Sequence, residues 1–185
     1  DVVTGERALA PLRRFGGSLE DTIRPLPYLE MQSLLSPPPI RIGAYAHSSF
    51  LRELSDGAID VLAARAEVPS PVLSVFFLEH LHGRASAFGP DDSAFHHRRV
   101  AHNFAALSMW LEPADADAAS AQVRGLFDQM APHLASGVYS NYLADEGSAR
   151  VRAAYGSAWE RLVDLKRRYD PENVFRLNQN VSPQG

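Results

Sequence analysis

The chain has 185 residues, 45% of them apolar and 22% charged, enough to bury one sizeable core. Its formal charge of −4 and the lack of a dense Lys/Arg patch give no electrostatic footprint for nucleic acid. With no cysteine, disulfides, zinc–thiolate sites and thiol catalysis are excluded.

No stretch approaches the roughly 20 apolar residues that cross a bilayer, so no membrane partner is expected. The start Asp1-Val2-Val3 carries neither Met nor a signal-peptide pattern. We therefore expect further polypeptide upstream and a cytoplasmic protein, although many secreted bacterial proteins also lack cysteine.

The first helix signal runs from Gly5 to Phe15 and stops at Gly16-Gly17. A second, short helix is predicted from Tyr28 to Leu35, with Pro27 near its start. After the break at Ser36 to Pro39, Ile40 to His47 reads as a strand. Ser55 is placed to cap a helix with Ile59, Leu62, Ala63 and Ala66 on one face. Pro71 to His82 and Ala101 to Leu111 both read as strands apolar on two faces, the pattern of central strands. Beyond Pro113 a helix carries Ala119, Val123, Leu126, Phe127 and Met130 at spacings of three and four. Val138 to Leu143 reads as a short extended segment. Ser157-Ala-Trp-Glu160 matches a capping box opening a last helix. That helix should bury Trp159, Leu162, Val163 and Tyr169, with the basic Lys166-Arg167-Arg168 at the negative end of its dipole. The fold class this implies is α+β, an antiparallel sheet covered by helices on one side.

Three groups of residues could carry chemistry. In an extended segment Tyr139 and Asn141 would share a face, a phenol beside an amide; a strand with one buried tyrosine is the plainer reading of that spacing. Tyr169-Asp170-Pro171-Glu-Asn173 is a turn signal, because Asx side chains bond their own backbone; Asn178-Gln179-Asn180 follows. His80 and His82 lie two apart on a strand, with His96, His97 and His102 beyond. A pair of imidazoles needs a third ligand and an ordered surround to hold a metal, so no metal site is assigned. There is no glycine-rich phosphate loop, Gly-x-Ser-x-Gly elbow or His-Glu-x-x-His motif.

Taken together, Gly137-Val-Tyr139-x-Asn141-Tyr142, Asp145-Glu146-Gly147, Arg150 to Gly156 and Leu165 to Asn180 resemble the berberine and berberine-like carboxy-terminal motif, about residues 137–181. Ala8 to Arg13, Pro27 to Leu35 and Ala94-Phe95-x-His97-Arg98 also resemble bacterial FAD-linked oxidoreductases of the berberine-bridge-enzyme-like group, within the vanillyl-alcohol-oxidase or PCMH-type flavoproteins.

The resemblance implies that residues 1–185 are the substrate-binding domain. A separate amino-terminal FAD-binding domain, absent from this chain, would be its main partner, and FAD would be held mainly there. It implies an oxidase that passes hydride from an alcohol, sugar or related carbon of a small-molecule substrate to flavin N5, with dioxygen as reoxidant. Tyr139 would be catalytic; Asn141 and Tyr142 would line the flavin, and Asn178 and Gln179 would lie near the domain junction. Two departures stand out. His96 replaces a proline, and Ala105 stands where the plant enzymes carry a glutamate or glutamine facing substrate. The competing expectation is a non-catalytic, stand-alone module that binds a small molecule or partner, with an apolar face inviting a homodimer.

Overall fold

In a computed structural model, residues 1–16, 20–34, 36, 41–143 and 147–185 are described. Gly17, Leu35, Pro39, Ile40, Asp145 and Glu146, named above, lie outside the described residues. The chain divides into two units, Asp1–Ile40 and Arg41–Gly185.

The first unit holds helices α1 (Val2–Arg14) and α2 (Tyr28–Ser33). Helix α1 starts earlier than its apolar pattern suggested, because the Asp1 carboxylate accepts from Thr4 N at 2.7 Å and caps it. Gly16, at φ 73°, takes the left-handed conformation that ends the helix region. Arg13 pairs with Glu6 and with Asp21, which holds its guanidinium pKa above the usual value. The Ile23 amide, and then Arg13, hold the Asp21 carboxyl below its usual range.

The second unit is a three-stranded antiparallel sheet in the order β1-β3-β2, from β1 (Gly43–Leu51), β2 (Leu73–His80) and β3 (His102–Trp110). Helices α3 (Asp56–Ala66) and α4 (Ala116–Met130) cover one face, and α5 (Ser148–Tyr155) and α6 (Trp159–Tyr169) follow in the chain. The α+β class and the one-sided helical cover are as the pattern implied.

Strand alternation divides the sheet residues. Phe104, Ala106 and Ser108 of β3 point to the helices, beside Leu78, Phe76 and Ser74 of β2. Asn103, Ala105 and Leu107 point the other way, beside Glu79, Phe77 and Val75 of β2 and Phe50, Ser48 and Ala46 of β1.

Helix α4 buries the residues its periodicity selects: Ala119, Val123, Leu126, Phe127 and Met130. Val123, Leu126, Phe127 and Met130 meet Leu51, Phe104 and Ala106 of the sheet and Ala58 and Leu62 of α3. Ser55 caps α3, its Oγ accepting from Ala58 N at 3.3 Å. Ile59, however, faces outward; α3 packs through Ala58 and Leu62.

Several expectations are corrected. Strand β1 begins at Gly43 and runs on to Leu51, because Ser48 to Leu51 find partners in the central strand. Strand β2 is an edge strand, not a central one, and leaves Leu73 and Val75 exposed. The capping box does not form, because the Ser157 hydroxyl is engaged elsewhere: it bonds Asp91 at 2.8 Å and His96 Nδ1 at 2.7 Å. Ala158 is the first flank of α6, and Glu160 pairs instead with Arg152 at 2.8 Å. Helix α6 buries Trp159 and Val163 but only partly Leu162, and Tyr169 is exposed. Residues 140–142 form a 3₁₀ turn rather than part of a strand.

The contact of Phe127 with Phe104, ring centroids 4.8 Å apart, joins helix to sheet at the centre of the core. Phe127→Ala is expected to cost about 3–5 kcal/mol. Urea denaturation should show this as a lower midpoint at an unchanged slope; a midpoint equal to wild type would show that this contact is not central.

Candidate functional site

The segment from Ala135 to Leu143 crosses to the face of the sheet that the helices leave open. It is lashed to β1: Ala135 N donates to Phe50 O at 2.7 Å, and Ser49 Oγ donates to Ala135 O at 3.2 Å. At Gly137 the backbone has φ 98°, and a Cβ there would lie 2.5 Å from His97 Cε1. Only glycine fits both constraints. Val138 is then fully buried with Leu143 and Ala154.

Tyr139 itself is extended, and its carbonyl accepts from Tyr142 N at 3.0 Å, closing the turn. Because residues three apart eclipse in a 3₁₀ turn, Tyr139 and Tyr142 come together, with ring centroids 5.8 Å apart. The expected pairing of Tyr139 with Asn141 on one strand face is thereby overturned, and Asn141 is exposed. Tyr139 also packs edge-on to Phe95 at 5.4 Å, and Tyr142 lies 5.9 Å from Phe77 of β2.

The Tyr142 hydroxyl donates to Glu79 Oε1 at 2.7 Å, and Asn103 Nδ2 donates to Glu79 Oε2 at 2.7 Å. One carboxylate of β2 is thus held between a phenol and the amide of a fully buried asparagine. Asn103 Oδ1 is buried without a hydrogen-bond partner. Burial first, and then the Glu79 contact, push the Tyr142 phenol well above its ordinary pKa. Ala105 lies on the same face between Ser48 and Phe77. The carboxylate of the site therefore comes from the neighbouring strand. Sequence reasoning missed Glu79; the one available signal was a lone acid closing an otherwise apolar run, Val75-Phe76-Phe77-Leu78.

Gln179 Nε2 donates to Leu143 O at 2.6 Å, and the Tyr155 hydroxyl reaches Gln179 O at 3.5 Å. These bonds tie the carboxy-terminal segment to the end of the tyrosine turn. Asn178 is exposed at φ 58°. Asn178, Gln179 and Asn180 line a cavity of about 690 Å³ with Leu143, Val151 and Trp159. The Asn180 Oδ1 and Trp159 Nε1 atoms are buried without partners.

The Asp170 turn forms as its sequence signals. The carboxylate accepts from Val174 N at 2.7 Å and Phe175 N at 3.1 Å. Lys166, and then these amides, hold its pKa below the usual range.

The histidines divide. His80 and His82 have ring centroids 4.2 Å apart, while His80 stacks on His102 at 4.8 Å with planes 16° apart. Among the described residues no group of three or more His, Cys, Asp or Glu is arranged to hold a metal ion. His97 sits under the tyrosine turn, 4.5 Å from Phe50, and its Nε2–H donates to Ala153 O at 3.1 Å. Burial, and then the neighbouring His96, lower its pKa. Burial, and then His80, do the same to His102.

The folded protein keeps these rings neutral, while the unfolded chain takes up protons as pH falls through about 6.5, so stability present above that pH is lost below it. The melting temperature should therefore fall between about pH 7.5 and about pH 5.5. His97→Gln, which keeps an amide donor toward Ala153 O, should make that fall shallower. A slope equal to wild type would remove His97 from the account.

Residues 138–182 match the family described as Berberine and berberine like. The chain is 28% identical over 184 residues to an uncharacterized FAD-linked oxidoreductase, YgaK, of Bacillus subtilis (strain 168), covering 96% of this chain and 40% of that protein. It is 27% identical over 184 residues to an FAD-linked oxidoreductase of Dictyostelium discoideum, covering 97% and 40%. The chain thus spans 40% of the length of these curated relatives.

Among solved structures, 6-hydroxy-D-nicotine oxidase from Arthrobacter nicotinovorans superposes with a TM-score of 0.76 at 22% identity, over 99% of this chain and 42% of that one. Chitooligosaccharide oxidase superposes with a TM-score of 0.74 at 19% identity, over 99% and 44%. At such identities the likeness establishes the fold. Residues 138–182 thus carry the likeness to the berberine and berberine-like family, and nearly the whole chain aligns with FAD-linked oxidoreductases at 27–28% identity.

Proposed function

We propose that this chain forms the substrate-facing wall of an FAD-dependent oxidase that takes hydride from an alcohol, sugar or related carbon, with dioxygen as reoxidant. The observation that carries the reading is the Glu79 carboxylate held between Tyr142 and Asn103 on the sheet face opposite α3 and α4.

The residues present suit one edge of a flavin. The exposed amides of Asn141 and Asn178, the Gln179 amide and the unpartnered Asn180 Oδ1 offer donors and acceptors to a heterocycle that displays both. The sequence has no glycine-rich cradle for a pyrophosphate, so that part of the cofactor would be held by an amino-terminal domain of the same polypeptide. Bound flavin would supply the hydride acceptor, which no side chain can provide.

The chain's own part is to hold the substrate and move one proton. Because its pKa is raised, the Tyr142 phenol stays protonated at neutral pH and cannot act as a free phenolate. It can relay: a substrate hydroxyl donates to Tyr142 Oη while the phenol's proton passes to Glu79 Oε1. Asn103 keeps the other carboxylate oxygen in place. Tyr139, packed against Tyr142 and Phe95, presents the second phenol to the substrate and orients it.

The test is to express the chain joined to the flavin domain that precedes it. We expect a yellow protein that consumes dioxygen with one class of alcohols. Glu79→Gln should lower kcat by about 10²–10⁴-fold with flavin content unchanged, and Tyr139→Phe should act more on KM than on kcat. A protein that stays colourless after incubation with FAD, yet still binds the alcohol, would overturn the oxidase reading in favour of a non-catalytic binding module.

A further inference from the structure

The cavity of about 690 Å³ that Leu143 lines at the end of the tyrosine turn is also walled by Gly147, Ser148, Trp159 and Arg176. Three features of that wall are donors without an acceptor. Trp159 is 6% exposed, and its indole Nε1–H is buried with no hydrogen-bond partner. An indole nitrogen only donates, so an acceptor is what it lacks. Helix α5 begins in the same wall. Gly147 precedes it at φ 85° and has no side chain to cap it; the first amides to find an acceptor are those of Arg150 and Val151, both on Gly147 O. The amides of Ser148 and Ala149 are left free at the positive end of the helix dipole. Arg176 is the one charged side chain of the wall, and it has neither a hydrogen bond nor an ion pair among the described residues.

Two of these features taken singly are ordinary, since surface arginines are often unpaired and water can cap a helix. The buried indole is not, because an unmet donor costs about 1–3 kcal/mol and calls for a resident partner. Water would satisfy the indole but bring no countercharge to the guanidinium or the helix end. An anionic oxygen pair answers all three at once. The acceptor in the wall, Asn180 Oδ1, remains with the flavin edge.

We propose that this cavity holds the carboxylate of the substrate, so that the alcohol oxidised is a hydroxy acid or sugar acid; the inference rests on the oxidase reading above. Leu143, which lines the cavity, directly follows Tyr142 in the chain. A molecule anchored by its carboxylate at Arg176 and Trp159 therefore extends its hydroxyls toward the relay phenol. The single cation selects one negative charge, and the volume suits a molecule of sugar size.

The purified chain is titrated with sodium gluconate, sorbitol and N-methylglucamine hydrochloride, an anionic, a neutral and a cationic polyol, at matched ionic strength. The readout is the indole N–H signal of Trp159 in NMR spectra, assigned by its loss in Trp159→Phe, with Trp110 as the internal control. Gluconate should shift the Trp159 signal saturably, and the other two should not. Arg176→Gln should weaken gluconate binding by about tenfold or more. No saturable shift, an equal shift by sorbitol, or an unchanged affinity in Arg176→Gln would each overturn the proposal. In the protein joined to its flavin domain, glucuronate should exceed glucose in kcat/KM by about tenfold, and Arg176→Gln should remove that advantage with flavin content unchanged. A yellow enzyme that turns over glucose and glucuronate equally would overturn the carboxylate site and leave the oxidase reading standing. A colourless protein whose Trp159 signal still answers to gluconate would overturn the oxidase reading and leave the carboxylate site.

Discussion

The alternation of one strand sets the terms for the rest of the second unit. Every second residue of β3 serves a different environment: Phe104 and Ala106 are committed to the α4 core, and Asn103 and Ala105 to the open face. A slip of one residue would put the Asn103 amide into the apolar layer and Phe104 where Glu79 now finds its partner. The stability of the helix-on-sheet core and the geometry of the candidate site are therefore consequences of the same register.

A second constraint holds the tyrosines over that face. The turn carrying Tyr139 and Tyr142 has little regular structure of its own, so its position comes from contacts on all sides. Phe50 O and Ser49 anchor its start, and His97 fills the space that a side chain at Gly137 would need. Gln179 binds its end at Leu143 O. Arg98 steadies the loop beneath, donating to Ala85 O at 2.8 Å and Ser93 Oγ at 2.7 Å while lying over the Phe95 ring at 4.9 Å. Phe95 in turn meets Tyr139. Rigid positioning of this kind is what a proton relay asks of its scaffold.

The same loop shows how one local preference yields to a tertiary one. Ser157 and Glu160 have the spacing to cap α6, but the hydroxyl bridges Asp91 and His96 across a long stretch of chain. A capping bond and a loop anchor contribute comparable free energy, about 1 kcal/mol, so the partner that tertiary packing brings within reach decides.

What the sequence determined by itself is what depends on neighbours close in the chain. The period of α4 named its buried face, Ser55 and the Asp170 turn find partners within five residues, and the mixture of elements set the α+β class. The motif from Tyr139 to Asn180 was also legible, because its residues are consecutive. Only the tertiary structure decided which side chains of that motif meet, and what they meet. Glu79 and Tyr142 are 63 residues apart, and Glu79 and Asn103 are 24 apart. Strand β2 has the two-faced apolar pattern of a central strand, yet pairs along one edge. Tyr139 joins Tyr142 rather than Asn141 because the backbone tightens into a turn there instead of staying extended. Local propensity is written in successive residues, whereas the pairing of distant strands and loops is set by how the whole core closes.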